Sequence, residues 1–229
     1  NGIFHWELAG LTETDLSNMF DWHTLRNHIK TYGVKNSLLI AIMPTATTSQ
    51  FLGNNECIEP FTKNLYKRKT VAGEFIIGNK YLTNDLYNLK LYNQDFSDYL
   101  IMLEGSIQQI DGMSDELKQL YKTAYEIDQN AIIQLAIDRQ PFIDQAQSLN
   151  LYTESITEET FTRWMFKAWR GGLKTGKYYL HTRPAMNAQK FTIDPEKQKD
   201  MKKILDDIRE TIKTREPPKE IEICDLCSS

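Results

Sequence analysis

The chain has 229 residues, with 27 Lys and Arg against 31 Asp and Glu and a formal net charge of −4. That balance, without a basic block, argues against a nucleic-acid polymer as partner, while a single nucleotide needs only a local anion site and stays allowed. No apolar run approaches the ~20 residues of a membrane span, and no charged leader precedes an apolar core, so neither a membrane nor secretion is expected.

Residues 12–32 read as a helix, with Thr14 or Asp15 as cap, Leu16, Met19, Phe20, Leu25 and Ile29 apolar, and Gly33 closing it. The continuous run Ser37-Leu38-Leu39-Ile40-Ala41-Ile42-Met43 reads as a strand buried on both faces, as in the parallel sheet of an α/β protein. Residues 51–112 are richer in Asn, Gly and Tyr and predict loops and short elements, with a helix over 82–91. Residues 114–139 carry apolar side chains at helical spacing, and Asp115 and Glu116 complement the dipole of that helix at its start. Another helix begins at Thr157-Glu158-Glu159 and breaks at Gly171-Gly172, and the run from Lys177 to Arg183 is β-like until Pro184. A charged helix over 194–212 comes next, then a tail in which Pro217 and Pro218 stop any helix. The expected organisation is α/β over 1–213 and a flexible tail over 214–229.

The tail ends Cys224-Asp225-Leu226-Cys227-Ser228-Ser229. Two cysteines at this spacing support thiol–disulfide exchange or half of a zinc site. Zinc needs two further soft ligands, and Cys57 with four scattered histidines supplies no closed tetrahedral set, so exchange is the favoured reading. From Thr214 an extended tail carries the dithiol ~33–36 Å at most, a range that suits delivery of electrons into a cleft. Few cysteines and a redox pair fit a reducing, cytoplasmic setting.

Two further segments invite chemistry. Pro44-Thr45-Ala46-Thr47-Thr48-Ser49 follows the apolar strand, where α/β sheets bind ligands and where amides and hydroxyls can meet phosphate oxygens, although Ser and Thr at such places often only cap a helix. Tyr178-Tyr179 could pass an oxidising equivalent if the rings touched, but regular strand geometry sends neighbours to opposite faces, so a contact requires a bend. Glu56, Cys57 and Glu59 have no partner identifiable by spacing and read as a structured loop.

Taken in order, Pro44–Ser49, Leu52-Gly53-Asn54-Asn55-Glu56, Ile58-Glu59-Pro60, Gly73-Glu74-Phe75, Phe142-Ile143-Asp144-Gln145, Gln147-Ser148-Leu149-Asn150, Gly172-Leu173-Lys174-Thr175-Gly176, Tyr178–Ala185 and the terminal Cys-x-x-Cys resemble one family. It is the carboxy-terminal part of the class I ribonucleoside-diphosphate reductase large subunit, of the eukaryotic and viral type, and the resemblance spans nearly the whole chain.

The resemblance implies the later part of a ten-stranded α/β barrel. It implies that Thr45, Ala46, Thr47, Thr48 and Ser49 hold the diphosphate of a ribonucleoside diphosphate. It implies that Tyr178 and Tyr179 relay a radical from a small, metal-containing subunit, and that Cys224 and Cys227 re-reduce an active-site disulfide and are themselves reduced by thioredoxin or glutaredoxin. No cofactor is expected in this chain, and an oligomer is. The family's thiyl cysteine, active-site cysteine pair and catalytic Asn and Glu precede the matched region, so an upstream part of the large subunit is an expected partner and the chain alone is expected to be inactive. Cys57 stands where relatives commonly have Ser, His181 where Arg is frequent and Thr47 where Ser is frequent. The start at Asn1, without Met, predicts a gene fragment, a split subunit or the portion beyond an intervening sequence. The rival readings are a stand-alone thiol oxidoreductase and a non-catalytic assembly protein.

Overall fold

The structure is a computed structural model, and it describes residues 2–71 and 73–182 together with Glu210. In chain order the helices and strands are α1 (His5–Leu8), α2 (Trp22–Tyr32), α3 (Thr48–Phe51), β1 (Leu65–Thr70), β2 (Gly73–Gly78), α4 (Lys80–Asn88), α5 (Gln94–Met102), α6 (Asp115–Leu120), α7 (Gln129–Arg139), β3 (Leu151–Thr153), α8 (Glu158–Arg170) and β4 (Leu180–Thr182). Among the described residues they fall into two compact units, residues 63–122 with Glu210, and residues 2–62 with 123–182.

In the unit of residues 63–122, β1 and β2 form an antiparallel hairpin with Leu65 opposite Gly78 and Thr70 opposite Gly73. Leu82 and Leu86 of α4 share one helical face, as do Phe96 and Leu100 of α5, and these four side chains with Ile107, Ile110 and Tyr121 build the core. Asn64 is buried inside it, and its polar atoms are matched. Its Nδ2 donates to the Tyr121 carbonyl at 2.7 Å, its Oδ1 accepts from Asn79 Nδ2 at 3.0 Å, and its backbone N–H donates to Gly105 at 3.3 Å. Gly105 turns through φ 79°, and a Cβ there would lie 2.6 Å from the Asn64 amide nitrogen.

In the other unit, α7 packs on α8 and β3 around Ile132, Ile133, Ala136, Leu149, Leu151, Trp164, Ala168 and Leu173. Local chemistry sets the ends of these helices. Asp128 Oδ1 accepts the Asn130 amide at 2.9 Å, and Thr157 Oγ1 accepts the Thr160 amide at 3.2 Å. Gly171 ends α8 against Ile137, where any Cβ would collide. The strands β3 and β4 pair in parallel, with Leu151 opposite Leu180, Tyr152 opposite His181 and Thr153 opposite Thr182.

Several sequence expectations change here. The helix expected over 12–32 is a 3₁₀ turn at Glu13–Asp15 followed by α2, which Asp21 caps. The helix expected over 114–139 is two, because the chain leaves α6 at Tyr121 to send that hydroxyl to Asp85 at 2.5 Å. The run Ser37–Met43 is in neither sheet, and Leu38, Leu39, Ile40 and Met43 are exposed. Its composition suits a buried strand, but among the described residues no neighbouring strand completes a ladder with it. What holds it is Asp144, whose Oδ2 accepts the amides of Leu39 and Ile40 at 2.8 Å each. The described residues form two two-stranded sheets and no closed barrel, so the architecture is mixed α/β. The expected helix over 194–212, apart from Glu210, and the tail over 214–229 lie outside the described residues.

Candidate functional site

Tyr178 sits at a bend just before β4, and this bend brings the rings of Tyr178 and Tyr179 together with centroids 4.2 Å apart and planes at 53°. The contact that regular strand geometry forbids is therefore made. Both phenols are half exposed, at 50% and 54%. The hydrogen bond and charge of Tyr179 favour the protonated form of Tyr178 and raise its pKa.

The backbone of the pair is fixed to the start of β3 and the two residues before it. The Tyr178 amide donates to the Leu149 carbonyl at 2.6 Å, the Leu151 amide to the Tyr179 carbonyl at 2.9 Å, and the Tyr179 amide to Asn150 Oδ1 at 3.1 Å. Asn150 is buried and reaches the other way too. Its backbone N–H donates to Glu59 Oε1 at 3.1 Å and its Nδ2 to Glu59 Oε2 at 3.3 Å, with Cys57 Sγ 4.0 Å from the same nitrogen. Glu59 Oε2 also accepts the Tyr152 hydroxyl at 2.7 Å. Burial, then this hydrogen bond and the carboxylate's charge, drive the Tyr152 pKa upward. Burial and the charges of Glu59 and Glu56 likewise push the Cys57 thiol up to about 12.

Cys57 ties this network to the Thr/Ser loop. Its amide donates to the Pro44 carbonyl at 2.9 Å, directly before Thr45. Thr45 occupies left-handed backbone space at φ 54°, as does Cys57 itself. Within the loop the Ser49 amide is spent on the Thr45 carbonyl at 2.9 Å, whereas the amides of Ala46, Thr47 and Thr48 have no acceptor among the described residues. The Ser49 hydroxyl is buried without a partner. The structure thus brings Thr45, Ala46, Thr47, Thr48 and Ser49 into one hydrogen-bonded framework with Tyr178 and Tyr179, through Pro44, Cys57 and Asn150. Cys224 and Cys227 lie outside the described residues.

Sequence reasoning found Glu59 and Cys57 but no partners for them, and it missed Asn150 and Tyr152 as members of the site. The signal was absent from local spacing, because Glu59 meets Asn150 across 91 residues and Tyr152 across 93. Among the described residues no group of three or more His, Cys, Asp or Glu is placed to hold a metal ion.

The family model for the ribonucleotide reductase barrel domain matches residues 1–179. The chain belongs to the ribonucleotide reductase barrel family. Within that family it is 46% identical over 228 residues to the ribonucleoside-diphosphate reductase large chain of Encephalitozoon cuniculi, a match covering 100% of this chain and 28% of that protein. It is 45% identical over 200 residues to the large subunit of Acanthamoeba polyphaga mimivirus, covering 87% and 23% respectively. The expected likeness to eukaryotic and viral large subunits is therefore borne out. Among solved structures, the class Id ribonucleotide reductase alpha subunit of Actinobacillus ureae is similar at a TM-score of 0.60 and 30% identity, over 69% of this chain and 28% of that one. The chain spans roughly a quarter of the length of these ribonucleotide reductase relatives. No helix among the described residues is long and apolar enough to cross a membrane.

Proposed function

We propose that the chain serves the reduction of ribonucleoside diphosphates as the carboxy-terminal part of a large subunit, supplying the later strands of a ten-stranded α/β barrel. In this reading the Thr45–Ser49 loop holds the substrate diphosphate, with the unspent amides of Ala46, Thr47 and Thr48 as donors to phosphate oxygens. Tyr178 and Tyr179 pass an oxidising equivalent that arrives from a metal-containing small subunit. Each phenol is protonated at neutral pH, so each electron transfer is matched by a proton transfer. Cys224 and Cys227 return electrons to an active-site disulfide and take them from thioredoxin or glutaredoxin. The remaining large-subunit residues, an oligomeric assembly and a cytoplasmic setting belong to the same proposal.

The observation that carries it is the 4.2 Å contact of the two tyrosine rings, on a backbone hydrogen-bonded through Asn150 and Cys57 to the Thr/Ser loop. The test is a chimaera in which this chain replaces the matching segment of the Encephalitozoon cuniculi large chain, assayed with a small subunit. Deoxynucleotide formation that vanishes in Tyr178→Phe and Tyr179→Phe, with nucleoside diphosphate binding kept, is the expected outcome. Undiminished turnover in either variant overturns the relay. Cys224→Ser and Cys227→Ser should stop turnover driven by thioredoxin and spare turnover driven by a small dithiol, and equal loss with both would refute the shuttle.

A further inference from the structure

The tyrosine pair does not end at Tyr179. His181 lies 5.8 Å from the Tyr179 ring, centroid to centroid, and stacks on Tyr152 at 4.9 Å with planes 15° apart. The stack follows from the ladder, since Tyr152 and His181 are direct partners in the β3–β4 register and so point to the same face. Tyr152 is the buried member of the group, 6% exposed, whereas Tyr178 and Tyr179 are half exposed. Its hydroxyl ends on a charged group. It donates to the Glu59 carboxylate, which takes two further hydrogen bonds from Asn150 and has no cationic partner among the described residues.

A packing role explains a buried aromatic ring but not this terminus. A phenol loses an electron readily only if its proton has somewhere to go, and a carboxylate 2.7 Å away along an existing hydrogen bond is a ready acceptor. Tyr152 therefore combines the features of a redox site: an aromatic bridge to an oxidisable neighbour, exclusion from solvent reagents and a base in place.

We infer that Tyr152, with Glu59 as its proton acceptor and His181 as the bridge, is a redox-active side branch of the Tyr178–Tyr179 pair. The inference rests on the relay reading above. The step balances as follows. An electron moves from Tyr152 through the His181 ring to the phenoxyl radical of Tyr179, the Tyr152 hydroxyl proton passes to Glu59, and solvent protonates the reduced Tyr179 oxygen. One phenoxyl radical is consumed and one is formed. The branch thus draws the oxidising equivalent off the exposed pair into the protein, beside a carboxylic acid that hydrogen-bonds the new radical.

The test uses the full chain and a bulky solution photo-oxidant, a ruthenium tris-bipyridyl complex with persulfate as terminal acceptor. Samples are frozen after a flash and examined by high-field electron paramagnetic resonance, where a tyrosyl radical accepting a hydrogen bond is separated from a free one by its g-tensor. A hydrogen-bonded component is expected that is lost in Tyr152→Phe, lost in Tyr179→Phe, and lost or sharply reduced in Glu59→Gln, where the base that takes the phenol proton is gone. His181→Leu leaves the Tyr152 hydroxyl and Glu59 in place, and loss of the component there guards against misfolding of the Tyr152 variant. Spectra of Tyr152→Phe and His181→Leu that superimpose on the unaltered chain overturn the branch. A component that survives Tyr179→Phe overturns the proposed entry point. Failure of the branch leaves the relay intact as long as the chimaera still depends on Tyr178 and Tyr179, so the two readings fail separately.

Discussion

The amide of Tyr179 donates to the side-chain oxygen of Asn150 at 3.1 Å, so a residue 29 positions earlier fixes the backbone that presents the exposed phenol. Because Asn150 is also buried against Glu59, its side chain is held from both sides.

Replacing Asn150 by Ala should cost about 1–3 kcal/mol, the range for stranding partly buried hydrogen-bonding groups. Urea unfolding followed by tryptophan fluorescence measures it. A midpoint unchanged from the parent would show that Asn150 merely fills space.

Asp144 governs the exposed apolar run. Its carboxyl pKa lies below the usual value chiefly because the Ile40 and Leu39 amides donate to it. The folded form therefore binds the proton less readily than the unfolded one. The stabilisation is present above the unfolded pKa, about 3.9, and disappears as pH falls through the lower folded value. Amide exchange at Leu39 and Ile40 should be faster in Asp144→Asn at pH 6, and the gap from the parent should close on acidification. Equal exchange in both proteins at pH 6 would remove Asp144 from this role.

Cys57 should be inert. With its pKa pushed up to about 12 by burial and by Glu59 and Glu56, the thiolate fraction at pH 8 is about one in 10⁴, against about one in four for an ordinary thiol. Iodoacetamide labelling mapped by mass spectrometry should leave Cys57 unmodified while an unperturbed thiol reacts. Prompt labelling at pH 8 would contradict the pictured surroundings.

Gly105→Ala should destabilise the unit of residues 63–122 by ~2–4 kcal/mol, combining left-handed strain with a clash against the Asn64 backbone. Differential scanning calorimetry provides the comparison. An unshifted transition would mean that the Asn64 turn can relax at no cost.

Local signals made some of this legible in the sequence. Thr157 with Glu158 and Glu159 at the start, and Gly171 at the end, bracket α8 because caps and dipole charges act within one turn. The β1–β2 hairpin escaped notice because Lys67, Arg68 and Lys69 obscure the alternation of a strand. The apolar run 37–43 misled for the opposite reason. Its composition states what it could bury against, and the structure shows what it meets. At the site, the loop and the tyrosines stood out through family resemblance. The links among Glu59, Asn150 and Tyr152 span 91 and 93 residues and exist only once the chain has folded.

The three-residue ladder between β3 and β4 acts as an alignment key. Since faces alternate along a strand, removing a single residue between Thr175 and Tyr178 would rotate the imidazole of His181 away from Tyr152 and leave both rings facing strangers. The glycine-rich stretch before it, Gly171 to Gly176, looks like a segment free to vary in length. It should instead refuse changes of count, and at Gly171, where any Cβ meets Ile137, changes of residue as well.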